Sequence, residues 1–132
     1  MSNTTDIQTA FDLIENELNQ VKNVMNRQFE SASQPVADFL KAANIASGKM
    51  LRPALVLLAA KACHKVTTAH IKIAAAVELV HDATLLHDDV IDEGQKRRGK
   101  STVNQLFGNE LAVLMGDFLL SRASVICSEI ND

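Results

Sequence analysis

The residues with the clearest chemical potential are a run of acidic side chains followed closely by a run of basic ones. Asp88, Asp89, Asp92 and Glu93 fall within six positions, and the basic sequence KRRGK occupies positions 96–100. On a helix, Asp88 and Asp92 would share one face, about 40° apart and one turn from each other. Two such carboxylates repel each other near the negative end of the helix dipole, and a bound cation would relieve both effects. Oxygen ligands without thiolates favour Mg²⁺, which commonly completes its shell with water and substrate phosphates.

The neighbouring polar residues indicate what such a metal would hold. His81 would lie about 20° from Asp88 and two turns earlier, whereas Asp89 would be rotated about 100° away. Arg97 and Arg98 follow within a few residues, and guanidinium groups suit bidentate contact with phosphate. The pattern therefore predicts a diphosphate held through Mg²⁺ and arginine.

A second set of cations lies upstream, in the sequence SGKMLRP at positions 47–53. Lys49 and Arg52 stand beside a glycine and just before a predicted helix, where free backbone N–H groups favour anions. One metal face and two separate sets of cations indicate two anionic substrates held apart.

The elements that must position these residues are predicted to be helices. Apolar residues recur at steps of three or four from residue 5 to 29, which predicts one amphipathic helix. The other predicted helices run from Pro35 to about Ile45, from Pro53 to about His64, from 69 to 93 with Thr67 or Thr68 as cap, over Asn104–Phe107, and from a cap at Asn109 to the C-terminus. No segment alternates with period two, so the expected fold class is an all-α helical bundle. The stretch that leads into the acidic motif is mostly apolar, so the helix from 69 to 93 is expected to be buried.

Composition and charge exclude several classes of protein. Hydrophobic residues make up 47%, and the net charge is −3, so no basic field attracts nucleic acid. Cys63 and Cys127 form no CxxC pair and are expected to be buried free thiols in a reducing compartment. The N-terminal sequence lacks the features of a signal peptide, and the longest apolar run, residues 53–60, is too short to span a membrane. A cytoplasmic protein without a membrane span is expected.

Three motifs resemble the N-terminal half of trans-type isoprenyl (polyprenyl) diphosphate synthases. They are GKMLRP, ELVHDATLLHDDVIDEGQKRRGKSTVN and GNELAVLMGDFLL, and the resemblance covers about residues 45–123. DDxxD alone is shared with other helical proteins, but the ordered set of GKxxRP, DDxxD and RRGK is specific. The resemblance implies the N-terminal part of the isoprenoid synthase fold.

The resemblance also implies roles for individual residues. Asp88 and Asp92 would bind Mg²⁺ for an allylic diphosphate, with Asp89 in support, and Arg97 would contact that diphosphate. Isopentenyl diphosphate would be held by Lys49, Arg52, His81 and Arg98. The implied reaction is a head-to-tail condensation in which the allylic diphosphate departs, the isopentenyl double bond attacks the carbocation, and a proton is lost.

Product length is implied by the residues just before the acidic motif. In the family, aromatic residues four and five positions before its first aspartate limit chain growth. Here these positions hold Thr84 and Ala83, and Val77 further down is also modest in size. A medium or long polyprenyl product is therefore expected.

The chain departs from the family pattern in length. Family members are more than twice as long and carry a second aspartate-rich motif, which this sequence lacks, and Ser101 replaces the usual proline after RRGK. Residues 1–132 are therefore expected to form one all-α domain that is an incomplete part of a larger one, and to be inactive alone. The strongly apolar last helix favours association, as a homodimer or with a C-terminal half.

Three other functions fit parts of the sequence. A non-catalytic helical subunit of a heteromeric synthase would keep the fold and part of the site. An HD-type metal phosphohydrolase could use the doublets at positions 81–82 and 87–88 with His64 or His70. Glu78 and His81 have the Glu-x-x-His spacing of di-iron bundles, which need two copies.

Overall fold

The structure, a computed structural model, describes residues 2–131, with side chains described from residue 6 onward. Within that range the chain forms helices joined by short loops, together with one small antiparallel hairpin. The helices are α1 (Ser2–Asp12), α2 (Glu15–Arg27), α3 (Gln34–Ala42), α4 (Leu51–Cys63), α5 (Thr68–Ile91), α6 (Val103–Phe107) and α7 (Asn109–Ser128), and the hairpin strands are β1 (Lys96–Arg97) and β2 (Lys100–Ser101). The expected all-α class is confirmed.

The first predicted helix is in fact two helices, so the prediction of one continuous helix is wrong. The break lies at Ile14, whose φ of −125° and ψ of 15° leave the helical region. Ile14 is fully buried whereas Leu13 is exposed, so the break turns an apolar side chain into the core. The Lys61 side chain donates to the Leu13 carbonyl oxygen at 2.6 Å, which satisfies a backbone acceptor near the break.

The central element is α5, which contacts α2, α4, α6 and α7. Its start is fixed at Thr67, whose backbone N–H donates to His70 Nδ1 at 3.0 Å. Small residues such as Ala74, Ala75 and Ala83 are fully buried, so neighbouring helices approach closely. The expectation of a buried helix holds for one side only, because apolar side chains on the other side are exposed: Ile73, Val77 and Val80.

The helix α5 ends in a Schellman motif. Its last helical residue is Ile91, whereas the predicted end was residue 93. Asp92 is the C-cap, Glu93 takes a left-handed conformation (φ 52°), and the Gly94 N–H donates to the Asp89 carbonyl oxygen at 2.9 Å. Because Asp92 N–H still donates to the Asp88 carbonyl oxygen at 2.8 Å, the two aspartates keep helical spacing.

The last helix, α7, packs one side on α5. Gly116 is buried where the His87 ring crosses α7, and any Cβ there would collide with that ring. The N-cap is Gly108 (φ 89°), and Asn109 is the first helical residue rather than the predicted cap. By length and composition alone, α7 is also able to cross a membrane, with a mean hydropathy of 1.6, contrary to the expectation from the sequence. A core helix of a soluble protein has the same properties, and α7 contacts the core through Met115, Leu119 and Ile126.

Both cysteines are free and exposed, so the expectation of buried thiols is wrong. Cys63 is the last residue of α4, where the chain leaves the core. Cys127 lies in the last turn of α7, next to the buried Ile126.

Candidate functional site

A cleft of about 460 Å³ lies beside the C-terminal half of α5. Its walls are α5, the turn before α4, the first residues of α4, and the loop that contains β1 and β2. One stripe of α5 faces the cleft, at spacings of three, four or seven residues: Glu78, His81, Asp82, Leu85 and Asp89.

Cations reach the cleft from two sides, so the two sets singled out in the sequence lie in one cleft. Lys49 and Arg52 come from the turn and the first turn of α4, and Arg97 and Arg98 come from the hairpin. Lys100 also lines the cleft, although the sequence analysis assigned it no role. The concentration of cations in one concave site fits an anionic ligand with more than one charge.

The hairpin has a turn that presents its arginines. Arg97 pairs with Lys100 across the hairpin, so Arg98 and Gly99 form a two-residue loop. Both have positive φ, 51° and 76°, as a type I′ turn requires. Glycine adopts this conformation readily, and at Arg98 the same conformation carries strain.

Arg97 is bound to Asp89, a contact that the sequence did not predict. Its Nη2 lies 2.6 Å from Asp89 Oδ1, and its Nε lies 3.2 Å from both carboxylate oxygens. The hydrogen bond that Arg97 donates to Asp89 raises the pKa of Arg97, and the negative charges of Asp89, Asp88 and Asp92 also raise it, whereas partial burial lowers it. Asp89 therefore holds the guanidinium at the cleft.

Asp88 and Asp92 lie outside the cleft lining and are exposed. Within residues 6–131, neither carboxylate takes part in a side-chain hydrogen bond or salt bridge, so both are free for a ligand from solution. Two hydrated carboxylates fit the donor preference of Mg²⁺. In the same range, no group of three His, Cys, Asp or Glu side chains is assembled into a metal site.

Electrostatics in the cleft favour a neutral histidine at position 81. Partial burial lowers the pKa of His81, and the charges of Arg52, Arg97 and Arg98 lower it further. A neutral imidazole can still donate one hydrogen bond to an anion.

Two carboxyl groups, Glu78 and Asp82, belong to the cleft but were not predicted as site residues. Burial raises the pKa of Glu78. Burial and the charge of Glu78 together raise the pKa of Asp82 to about 7. Their spacing of four residues, on the same stripe as Asp89, was the available sequence signal.

The predicted product-length residues lie away from the cleft. Ala83 is fully buried in the core, Val77 is 37% exposed, and Thr84 is exposed, with its hydroxyl donating to the His81 carbonyl oxygen at 2.7 Å. None of the three lines the cleft.

Two histidines of the rival metal sites, His70 and His87, make other contacts. His70 accepts a hydrogen bond at the start of α5, and His87 Nε2 lies 3.1 Å from the Val113 carbonyl oxygen on α7. No metal-binding group joins them within the described part of the chain.

Comparison with known proteins gives consistent matches. The sequence model of the family described as "Polyprenyl synthetase" matches residues 33–132. Octaprenyl diphosphate synthase from Escherichia coli is 54% identical over 76 residues, which are 58% of this chain and 24% of that protein. Decaprenyl-diphosphate synthase subunit 1 from Schizosaccharomyces pombe is 33% identical over 98% of this chain and 41% of its own length.

A solved structure is similar as well. A polyprenyl synthase from Caulobacter crescentus, complexed with calcium and isoprenyl diphosphate, matches with a TM-score of 0.85 and 35% identity. The match covers 93% of this chain and 38% of the other. The chain thus spans between a quarter and two-fifths of the length of these proteins.

Proposed function

Because the chain belongs to the polyprenyl synthetase family, we propose that it forms the diphosphate-binding part of a prenyltransferase. The full reaction would condense isopentenyl diphosphate with an allylic diphosphate and yield a medium or long polyprenyl diphosphate. The observation that carries the proposal is the cleft in which cations from the turn before α4 and from the hairpin face the acidic end of α5.

The allylic diphosphate would lie at the end of α5. Asp88 and Asp92 would hold Mg²⁺, and Arg97, oriented by Asp89, would donate hydrogen bonds to the phosphate oxygens. When bound, Mg²⁺ would supply positive charge that stabilises the departing diphosphate. Arg97 adds a fixed positive charge at the same place, and preorganised charge of this kind lowers the barrier to leaving-group departure.

Isopentenyl diphosphate would occupy the cleft. Lys49, Arg52 and Arg98 would neutralise its charge, and His81, neutral at pH 7, would donate one hydrogen bond. With both substrates held, the allylic C–O bond breaks and its electron pair leaves with the diphosphate. The isopentenyl double bond attacks the resulting cation, and loss of a proton restores an alkene.

The remainder of the active site would come from another part of the assembled enzyme. This sequence contains one DDxxD motif. Apolar side chains on α5 and α7 remain exposed, Val80 at 40% and Leu114 at 63% among them, so a further helical layer would find a surface there. We therefore propose that the chain alone does not convert the substrates to product, and that it works as a homodimer or with a C-terminal half.

Metal-dependent ligand binding tests this proposal. Farnesyl diphosphate should bind the chain with Mg²⁺ and bind more than about tenfold more weakly in EDTA, or with Asp88→Asn and Asp92→Asn. Asp6→Asn, an exposed carboxylate on α1, is the matched control and should bind as the unmodified chain does. Equal binding with and without Mg²⁺ would contradict the assigned metal face.

A non-catalytic subunit is the second candidate. One relative is named as a subunit, subunit 1 of a decaprenyl-diphosphate synthase, which supports assembly from more than one kind of subunit. Such a subunit would bind its partner but would not need an intact Mg²⁺ face. If Asp88→Asn left the activity of the assembled enzyme unchanged, this second function would be preferred.

A further inference from the structure

Two carboxyl groups lie one turn apart on the wall of the cleft. Glu78 is only 5% exposed, and its Oε2 has no hydrogen-bond partner among the described residues. Asp82, on the same stripe of α5, accepts a hydrogen bond at Oδ2 from the Ala46 N–H, with N and O 3.4 Å apart. Paired carboxyls in such a place disfavour two full negative charges.

The two groups face the turn that carries Lys49. This turn is unusual because Asn44, Ala46 and Met50 all have positive φ, at 54°, 61° and 57°. For residues other than glycine and asparagine, such as Ala46 and Met50, this backbone conformation is disfavoured and persists only where the surroundings enforce it. Asp82 holds the turn at Ala46.

Glu78 meets the same turn at Gly48. A Cβ added there would lie 3.7 Å from Glu78 Oε1, so the Gly48 backbone is close to the carboxyl group. The Arg52 charge acts on both acidic groups. The pair therefore connects α5 to the segment that supplies two of the cleft cations.

Other charges surround the pair on every wall of the cleft. Arg52 approaches from α4, Lys49 from the turn, His81 and Asp89 from α5, and Arg97, Arg98 and Lys100 from the hairpin. Cations outnumber carboxylates here, so the cleft holds an anion best when the pair carries little negative charge.

We propose that Glu78 and Asp82 are a positioning pair that holds the Lys49–Arg52 segment and takes up a proton when isopentenyl diphosphate enters the cleft. The proposal rests on the function proposed for the cleft. The incoming diphosphate repels an ionised Asp82, and protonation from solvent removes that repulsion. Since burial and Glu78 already raise the pKa of Asp82 to about 7, the uptake falls within the neutral range.

The direction of the pH effect follows from the charge change. Ligand binding favours the protonated form, so it raises the pKa of Asp82 further. Affinity should then decrease as pH rises from about 6 to about 8, by up to about tenfold for each unit of additional pKa shift. Asp82→Asn, which keeps an acceptor for the Ala46 N–H but cannot titrate, should lose this component.

Calorimetric titration of the chain with isopentenyl diphosphate tests the proposal. The titration is done in EDTA, at about pH 7, in two buffers of different ionisation enthalpy, which together give the number of protons taken up. The unmodified chain should take up a larger fraction of a proton than Asp82→Asn. Ligand protonation cancels in this difference, and Asp6→Asn should match the unmodified chain.

A second variant keeps the test decisive. Burial is the main reason for the raised pKa of Asp82, and Glu78→Gln removes the charge that adds to it, so the decrease in affinity should move to lower pH. If the unmodified chain and Asp82→Asn bind with equal proton uptake, the carboxyl pair has no such role. If the unmodified chain does not bind isopentenyl diphosphate at all, the proposed function of the cleft fails together with this inference.

Discussion

At the scale of single residues, Asp82 illustrates how burial changes the chemistry of an ordinary side chain. Its usual pKa of 3.8 is raised to about 7 by burial and by the charge of Glu78. Between these two values the folded state binds a proton that the unfolded state does not. The free energy of unfolding therefore decreases as pH rises from about 4 to about 7.

Asp82→Asn should remove this dependence. Its advantage in stability over the unmodified chain should be small near pH 4 and largest above pH 7, of the order of about 1–3 kcal/mol because the site is only partly shielded from water. Urea unfolding of both proteins across this pH range measures the difference. A constant difference at all pH values would show that Asp82 ionises as an ordinary aspartate does.

Of Ala83 and Thr84, Thr84 is the better position for a test of product length. Ala83 is fully buried, so Ala83→Phe would disturb the core, whereas Thr84 is exposed and tolerates a larger side chain. In an assembled, active enzyme, Thr84→Phe should shorten the product by at least one isoprene unit. Thr68→Phe, an exposed threonine at the far end of α5, is the matched control. Chromatography that shows unchanged products for Thr84→Phe would refute a role in chain length.

At the scale of secondary-structure elements, the contact between α5 and α7 depends on one glycine. The His87 ring occupies the space where a Cβ of residue 116 would lie. Gly116→Ala should therefore destabilise the fold by about 1–3 kcal/mol, because either the ring or the helix must move. Ser124→Ala, an exposed position on α7, should have little effect.

Combining two substitutions distinguishes a collision with the His87 ring from a change in the geometry of α7. In a His87→Ala background, Gly116→Ala should cost much less, which a double-mutant cycle from urea unfolding measures. The same cost in both backgrounds would show that the ring is not the obstacle.

The elements also show what the sequence could reveal. Periodicity and a predicted cap at Thr67 or Thr68 located α5, and the motifs singled out Lys49 and Arg98, which the structure places in one cleft. The break at Ile14 was not predictable because apolar spacing continues through it, and only tertiary burial of that residue decides the turn. The Arg97 contact with Asp89 needs the hairpin, whose two-residue strands leave no alternating pattern.

Neither did the sequence reveal the carboxyl pair. The spacing of Glu78 and Asp82 places them on one face of a helix, but their role depends on the backbone of the turn around Ala46. Ala46 and Met50 there have positive φ, which amino-acid preferences argue against. Such a conformation exists only because packing imposes it.

At the scale of the whole molecule, the chain spans between a quarter and two-fifths of its relatives, yet its own cleft is assembled. The chain is therefore expected to bind the substrates without converting them to product. The cations and carboxylates that are proposed to bind the substrates are present, but the carbocation of the proposed reaction would also have to be shielded from water. Exposed Val77, Val80 and Thr84 on α5 leave that side open in the chain alone.

The last prediction concerns this separation of binding from turnover. With both diphosphates and Mg²⁺, the chain alone should give no product above background, although it binds each substrate. Turnover should appear when the remaining C-terminal part of the Escherichia coli relative is added as a separate polypeptide, because that part would cover the exposed side of α5. The same mixture made with Asp88→Asn should stay inactive, which controls for residual activity of the added part. Normal turnover by the chain alone would refute the proposal that the chain supplies only part of the active site, whereas retained association without turnover would favour the non-catalytic subunit.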